Sequence, residues 1–301
     1  MPDPAAATNT GAGPTQAPNP RERMLAGLPV TTRTLEIHGV PTSVIEGGDG
    51  PPLVLLHGGI ECGGAMWAPV LVELAEHHRV VVPDVPGLGE SAPVPRLDVD
   101  TFAGWFKGLL EQTNLERPTL VAHSLLGSLA ARLAARDSAL LGRLVVYGAP
   151  AVGPYRMPIR LRYVAIRFAI RPTARNAERF DRFALLDRDA TRRRDPEWYD
   201  AFDAYTRARA TEAHVKKTMR QLIAGQTRPI PEAELSRIGL PTTLLWGRHD
   251  RMVPIRVAEV AATRHGWPLH VIDHAAHAPH IEQPDAFVEI LTAAMAADGR
   301  K

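Results

Sequence analysis

LVAHSLLGSLAA, residues 120–131, is the stretch whose reading decides the fold. PTLVAHS, residues 118–124, is a short apolar run behind a proline and reads as a buried strand; LLGSLAARLAAR, residues 125–136, is rich in Ala and Leu and reads as a helix. Ser124 stands at the junction. A serine on a sharp strand-to-helix turn holds its hydroxyl above the sheet edge. The helix behind it points its free N–H groups at the same spot, where negative charge can be stabilised. Serine is also a favoured helix cap. The stretch lacks both glycines of the G-x-S-x-G pattern, so by itself it leaves a nucleophile and a plain cap both open.

Outward from Ser124 the same alternation repeats. PLVLLHGG (52–59), RVVVPDVPG (79–87), RLVVYGAP (143–150), PTTLLWGRHD (241–250) and PLHVIDHA (268–275) are short, nearly continuous apolar runs. Strands buried on both faces read this way. WAPVLVELAEHH (67–78) and TFAGWFKGLLEQTN (101–114) carry apolar residues at helical spacing between them. TRTLEIHGV and PTSVIEGGDG, ahead of these, read as two antiparallel strands with a Gly-rich turn after the second. The sum is a doubly wound, mostly parallel α/β sheet of eight strands with helices on both faces. The alternation stops between residues 153 and 232, where RLRYVAIRFAI, NAERFDRFALL, EWYDAFDAYTRA and EAHVKKTMRQLIAG read as helices. That stretch is taken as a helical cap over the carboxyl ends of the strands, the edge where open α/β sheets bind ligands. The domain reading is therefore a tail over 1–30, a core over 31–152 and 233–301, and a cap over 153–232.

Composition narrows the classes. The chain has 301 residues, 45% hydrophobic and 23% charged, with a formal net charge of +2. This is a soluble globular composition, with no global electrostatic case for nucleic acid. The single cysteine, Cys62, excludes an intramolecular disulfide. No apolar run is long enough to span a bilayer. The opening MPDPAAATNTGAGPTQAPNPRER has no signal-peptide core and reads as a disordered tail, which gives a cytoplasmic address by default.

Three further motifs bear on Ser124. His57-Gly58-Gly59 ends the first buried strand, where a glycine lets backbone N–H groups approach a substrate oxygen; an ordinary Gly-rich turn is the plainer alternative. Asp250, after PTTLLWG, can hold an imidazole in one tautomer, or can simply belong to a turn. His277 lies in the loop after PLHVIDHA, and Ser, Asp, His is the chain order of one known triad arrangement. His274, His277 and His280 are spaced by three, but Pro279 interrupts any helix and no carboxylate or cysteine set completes a metal shell. Asp84, Gly87, Gly89 and Ser91 of DVPGLGES read as a turn held by hydrogen bonds. Cys62 reads as pocket lining.

Taken in order, HGG at 57–59, DVPGLGES at 84–91, AHSLLG at 122–127, WGRHDRMVP at 246–254 and AHAPHIEQP at 276–284 resemble the α/β-hydrolase superfamily, and within it the small capped serine-esterase-like members. The resemblance spans residues 33 to 295. It implies Ser124 as nucleophile, Asp250 as acid and His277 as base. It implies an oxyanion hole from the backbone N–H of Leu125 and of Gly59 or Ile60. The sequence departs from the family's small residues at Leu126 and has Ala276 where the family has glycine.

The reaction so implied is acyl transfer from an ester or related carbonyl to water through an acyl-enzyme, with a small-molecule substrate and no cofactor or metal. C–C bond hydrolysis of a diketone, or perhydrolysis, uses the same triad and ranks second. Dehalogenase and epoxide-hydrolase chemistry needs an aspartate where Ser124 stands. A small-molecule receptor with little turnover is the rival from another class. Twelve arginines lie between Arg156 and Arg194 against four acids; they read first as a solvated helix face, second as a surface that recognises a carboxylate, a phosphate or an acidic carrier protein. Aromatic residues of the insertion, from Tyr155 to Tyr205, are expected to pack the cap, with a few lining an acyl pocket. The insertion is expected to select substrate and to supply no catalytic group.

Overall fold

The computed structural model describes residues 18–296. In chain order the elements are α1 (Pro20–Leu25), β1 (Thr31–Ile37), β2 (Val40–Gly47), β3 (Pro52–Leu56), α2 (Ala68–His77), β4 (Arg79–Pro83), α3 (Val99–Thr113), β5 (Thr119–His123), α4 (Ser124–Arg136) and β6 (Arg143–Tyr147). Then come α5 (Ile159–Ile170), α6 (Ala174–Ala184), α7 (Arg188–Arg194), α8 (Pro196–Arg209), α9 (Ala213–Gln226) and α10 (Glu232–Leu235). The chain closes with β7 (Thr242–Gly247), α11 (Arg256–His265), β8 (Leu269–Ile272), α12 (Pro279–Glu282) and α13 (Pro284–Ala296). The eight strands form one sheet in the order β1-β2-β4-β3-β5-β6-β7-β8. Only the β1–β2 and β2–β4 pairings are antiparallel. The hairpin between β1 and β2 turns on His38-Gly39, both at positive φ, rather than continuing the first strand to Val40.

The apolar runs are buried on both faces, as parallel pairing under helices requires. Leu53, Val54, Leu55 and Leu56 of β3 are all inaccessible. Val54 and Leu56 join a core under α3 and α4; Leu53 and Leu55 join a second core under α2 and α13. The β3–β4, β3–β5, β5–β6, β6–β7 and β7–β8 pairings all run parallel, so the carboxyl ends of these strands share one edge. Ser124 follows β5 there, and Asp250 follows β7.

The tail reading needs correcting where the chain is described; residues 1–17 lie outside the described residues. Residues 20–25 form α1, opened by a capping box in which Asn19 accepts from the Glu22 N–H while Glu22 accepts from the Asn19 N–H. Met24 is buried in the second core, and Arg21 makes a buried ion pair with Asp84 at 3.0 Å. The helix is short but anchored by an apolar and an ionic contact, which composition alone does not reveal.

Candidate active site

Ser124 is the first residue of α4 and has φ +54°. A non-glycine residue in the left-handed region carries strain that surrounding structure must hold. Here β5 and α4 are both locked in the core, so the turn between them is imposed. Ala122 and Gly127 make room for it: a Cβ on Gly127 would fall 2.9 Å from the Ala122 carbonyl oxygen. The crowded place after the turn is therefore position 127. Leu126 is fully buried in the apolar core, and the helix starts at Ser124 despite it.

The structure brings Ser124, His277 and Asp250 into one hydrogen-bonded chain. His277 Nε2 lies 2.9 Å from Ser124 Oγ, and His277 Nδ1 lies 2.8 Å from Asp250 Oδ2. Asp250 Oδ1 accepts from the N–H groups of Met252 and Val253, each at 2.8 Å. The carboxylate is thus fixed by its own turn and has one oxygen left for the imidazole. Ser124, Asp250 and His277 are 7%, 6% and 5% exposed, so water screens this chain little.

Gly58, Gly59, Ile60 and Leu125 line the same pocket as Ser124 and His277. Gly59 has φ +70°, and a Cβ there would meet the Leu125 side chain at 3.1 Å. The loop after β3 therefore lies directly against the first turn of α4. Asp84 holds that loop from below. Its carboxylate accepts from the N–H groups of Gly64 (2.6 Å) and Glu90 (2.8 Å), while Ser91 Oγ donates to its carbonyl. His57 Nε2 accepts from the Val85 N–H at 3.1 Å, which leaves the ring proton on Nδ1.

Two more imidazoles crowd His277. His123 Nε2 donates to the His277 carbonyl at 2.8 Å, and His280 shares a 3.2 Å hydrogen bond with Tyr147 Oη. Burial, with His277 and His280 nearby, holds His123 well below the usual imidazole range. Burial pushes His280 and His57 each down to about 3. His274 and His249, by contrast, are exposed and do not line the pocket. Cys62 is not pocket lining as expected. It is buried in the second core, and burial pushes its thiol up to about 12.

A family model described as "Alpha/beta hydrolase family" matches residues 53–290. The chain belongs to the alpha/beta hydrolase family. It is 30% identical over 278 residues to a pimeloyl-[acyl-carrier protein] methyl ester esterase of Aeromonas salmonicida, covering 83% of this chain and 97% of that protein. It is 27% identical over 277 residues to the 2-hydroxy-6-oxo-2,4-heptadienoate hydrolase of Pseudomonas putida, covering 86% of this chain and 94% of that protein. Among solved structures, carboxylesterase CesB of Bacillus subtilis matches with a TM-score of 0.79 at 22% identity, over 92% of this chain and 95% of that one.

In this alpha/beta hydrolase the pocket runs from Ser124 into the helical insertion. Tyr155, Leu161, Phe168, Phe180, Phe202, Met219 and Ile223 are among the large side chains of its apolar wall. Trp198, Tyr199 and Tyr205 pack into the second core instead, and Tyr163 is 59% exposed. None of the twelve arginines lines the pocket, and most of them face solvent, as their first reading as a solvated helix face has it. The charged groups in the wall are Glu61, Asp181 and Asp203. Burial raises Glu61 to about 7, with Asp181 adding repulsion, and raises Asp181 to about 6. An acid buried among acids disfavours a further negative charge.

Sequence reasoning missed the contacts that tie the insertion to the His277 loop. The His277 N–H donates to the Ala184 carbonyl at the end of α6, at 2.9 Å. Glu282 accepts from the Ala276 N–H at 2.7 Å and from the Leu186 N–H. Arg194 donates to the carbonyls of Ile281 and Glu282. The only sequence signal was Glu282 inside AHAPHIEQP, and its partners in the insertion lie some hundred positions away.

Proposed function

We propose that this alpha/beta hydrolase is a serine hydrolase that cleaves esters of neutral, apolar acids through an acyl-enzyme. The observation that carries the reading is the hydrogen-bonded chain from Ser124 Oγ through His277 to Asp250. The Ser124 hydroxyl attacks the ester carbonyl while His277 Nε2 takes its proton. Asp250 keeps the other ring proton on Nδ1 and balances the imidazolium. The N–H of Leu125 and that of Gly59 or Ile60 hold the oxyanion. His277 then returns the proton to the departing alcohol. Water attacks the acyl-enzyme with His277 again as base, releasing the acid and freeing Ser124.

The insertion acts as a cap that walls the acyl site and excludes water. Its apolar lining, with Glu61, Asp181 and Asp203 and no lysine or arginine among the described residues, supports neutral acyl groups over acidic ones. A second reading, C–C bond hydrolysis, is favoured by the similarity to the Pseudomonas putida heptadienoate hydrolase. That relative is named for a carboxylate substrate, and no lysine or arginine among the described residues lines this pocket to pair with one.

The test is a panel of p-nitrophenyl esters of graded acyl length, run beside a p-nitrophenyl hemisuccinate and a 2-hydroxy-6-oxo-dienoate. Fluorophosphonate labelling of wild type and Ser124→Ala accompanies it. Labelling of wild type alone, turnover of neutral esters, and loss of about 10⁴ or more in rate in Ser124→Ala are expected. Near-wild-type turnover by folded Ser124→Ala would end the serine reading. Faster turnover of the dienoate than of any ester would put C–C hydrolysis first.

A further inference from the structure

Five large apolar side chains are exposed among the described residues, and four of them lie on α5. Ile159, Tyr163, Ile166 and Ile170 are 77%, 59%, 52% and 68% exposed. Their spacing of four, three and four residues puts them on one stripe of the helix. Eleven residues of rise make that stripe about 16 Å long. The opposite face is committed: Leu161, Ala165 and Phe168 line the pocket. Phe168 also stacks on Phe180 of α6 with ring centroids 5.9 Å apart.

The charges on the segment that carries the stripe all have one sign. From Pro154 to Ala177 the chain carries six arginines, at 156, 160, 162, 167, 171 and 175, and no acid. All six are exposed. On a helix of 3.6 residues per turn, Arg160, Arg167 and Arg171 flank the apolar stripe on one side and Arg162 on the other. An apolar stripe in water normally marks a binding surface. An apolar face rimmed by arginines matches the boundary between acyl chains and anionic headgroups: isoleucines enter the chains, and guanidiniums snorkel to the phosphates.

We propose that α5 docks this protein onto an anionic lipid surface, with Ile159, Tyr163, Ile166 and Ile170 entering the acyl boundary and the surrounding arginines pairing with lipid phosphates. The wall of the pocket would then be one helix diameter, about 10 Å, from the bilayer. The docking does not depend on which bond the enzyme cleaves, because binding is read without turnover.

The experiment is flotation of the full-length protein with vesicles of phosphatidylcholine alone or of phosphatidylcholine with roughly one-third phosphatidylglycerol. Light scattering of the free protein over a concentration series accompanies it. Wild type should float with the anionic vesicles roughly tenfold or more better than with the neutral ones, and should be released by salt. Ile166→Asp and the double variant Arg160→Glu/Arg167→Glu should each lose that binding about tenfold or more. Both should keep wild-type hydrolysis of soluble p-nitrophenyl butyrate, since none of these residues lines the pocket. Equal flotation on both vesicles, no flotation, or undiminished flotation of Ile166→Asp would overturn the proposal. So would a stable dimer that Ile166→Asp dissociates, because the stripe would then belong to a second copy of the chain.

Discussion

Replacing Asp250 by asparagine changes one atom and inverts the proton arrangement of the site. In wild type, Asp250 Oδ1 accepts from two backbone N–H groups at 2.8 Å each, and Oδ2 faces His277 Nδ1. An amide nitrogen cannot face the two N–H donors, so the amide oxygen of the variant takes the Oδ1 place and its NH₂ points at His277. Nδ1 must then accept a hydrogen bond, and the ring proton moves to Nε2. Nε2 lies 2.9 Å from Ser124 Oγ and would become a donor there, losing the lone pair needed to take the serine proton. Inversion of this kind costs about four orders of magnitude in kcat, or about 5 kcal/mol of barrier. The fold should survive, because both turn N–H groups keep an acceptor; the weaker neutral hydrogen bonds cost about 1–2 kcal/mol of stability. Single-turnover hydrolysis of p-nitrophenyl butyrate and urea unfolding measure the two quantities together. A folded Asp250→Asn protein with kcat within about tenfold of wild type would refute the role given to Asp250. Asp250→Ala is less informative, since it also leaves the Met252 and Val253 N–H groups without their acceptor.

Gly148→Ala should lower kcat by about a hundredfold, the scale of a misplacement of about 1 Å: Gly148 has φ +59°, and a Cβ there would sit 2.9 Å from His277 Cε1. An unchanged kcat would show that the ring position tolerates the methyl group. Arg21→Met should cost about 3 kcal/mol or more in urea unfolding, because it strands the inaccessible Asp84 carboxylate 3.0 Å from where the guanidinium was; a change under about 1 kcal/mol would show that the ion pair does not anchor α1. Stability should fall in acid through His57 and His280, whose folded values of about 3 lie below the unfolded imidazole value. Their contribution is fully present above about pH 6.5 and is lost as pH falls toward 3, at up to about 1.4 kcal/mol per pH unit each. Glu61 and Asp181, raised to about 7 and about 6, act in the opposite sense, their stabilisation being lost as pH rises. The clean measurement is therefore the slope of unfolding free energy between pH 7 and 5 in wild type against His280→Phe. Identical slopes would remove His280 from the account.

The sheet was legible because strands buried on both faces leave a plain trace. Leu53–Leu56 and Val80–Val82 have no polar residue to alternate with, and glycines or a proline stop each run. The positions of the candidate site were legible as strand ends: Ser124 after β5 and Asp250 after β7, with His277 in the loop beyond β8. Their distances were not legible, because they depend on the sheet order. Helix α1 escaped because six residues are too few for periodicity, although Asn19 and Glu22 spelled its cap. Helix α7 escaped because RDATRRR has no apolar face. The arginines were read first as a solvated helix face, and the sequence could not decide between that and a recognition site for a related reason. Count and sign are properties of the sequence, but whether a guanidinium faces a pocket or water is set by the rotation of each helix. The pocket acids were invisible for the same cause: Glu61 and Asp181 stand 120 positions apart and repel each other only once folded.

The proposed catalytic core and the proposed selecting insertion are tied together at one seam. The last carbonyls of a helix lack intrahelical partners, and that of Ala184 at the end of α6 is met by the N–H of His277 itself. Glu282 braces the same seam by accepting from Ala276 on the core side and from Leu186 on the insertion side. A glutamine in its place has one oxygen for two donors and sets its NH₂ against the other N–H, so one side of the brace must open. Glu282→Gln should therefore lower kcat by about tenfold while leaving KM within about twofold, because the imidazole shifts and the acyl wall does not. Met219→Ala, in the pocket wall contributed by α9, should do the reverse. It should raise KM for long acyl chains by about 10–200-fold, the equivalent of about 1–3 kcal/mol, and leave kcat for short chains alone. The two variants need only steady-state kinetics on a short and a long p-nitrophenyl ester. If Glu282→Gln instead raises KM for the long ester and leaves kcat unchanged, in the pattern of Met219→Ala, the seam acts only on the pocket, and the insertion would have no separate hold on His277.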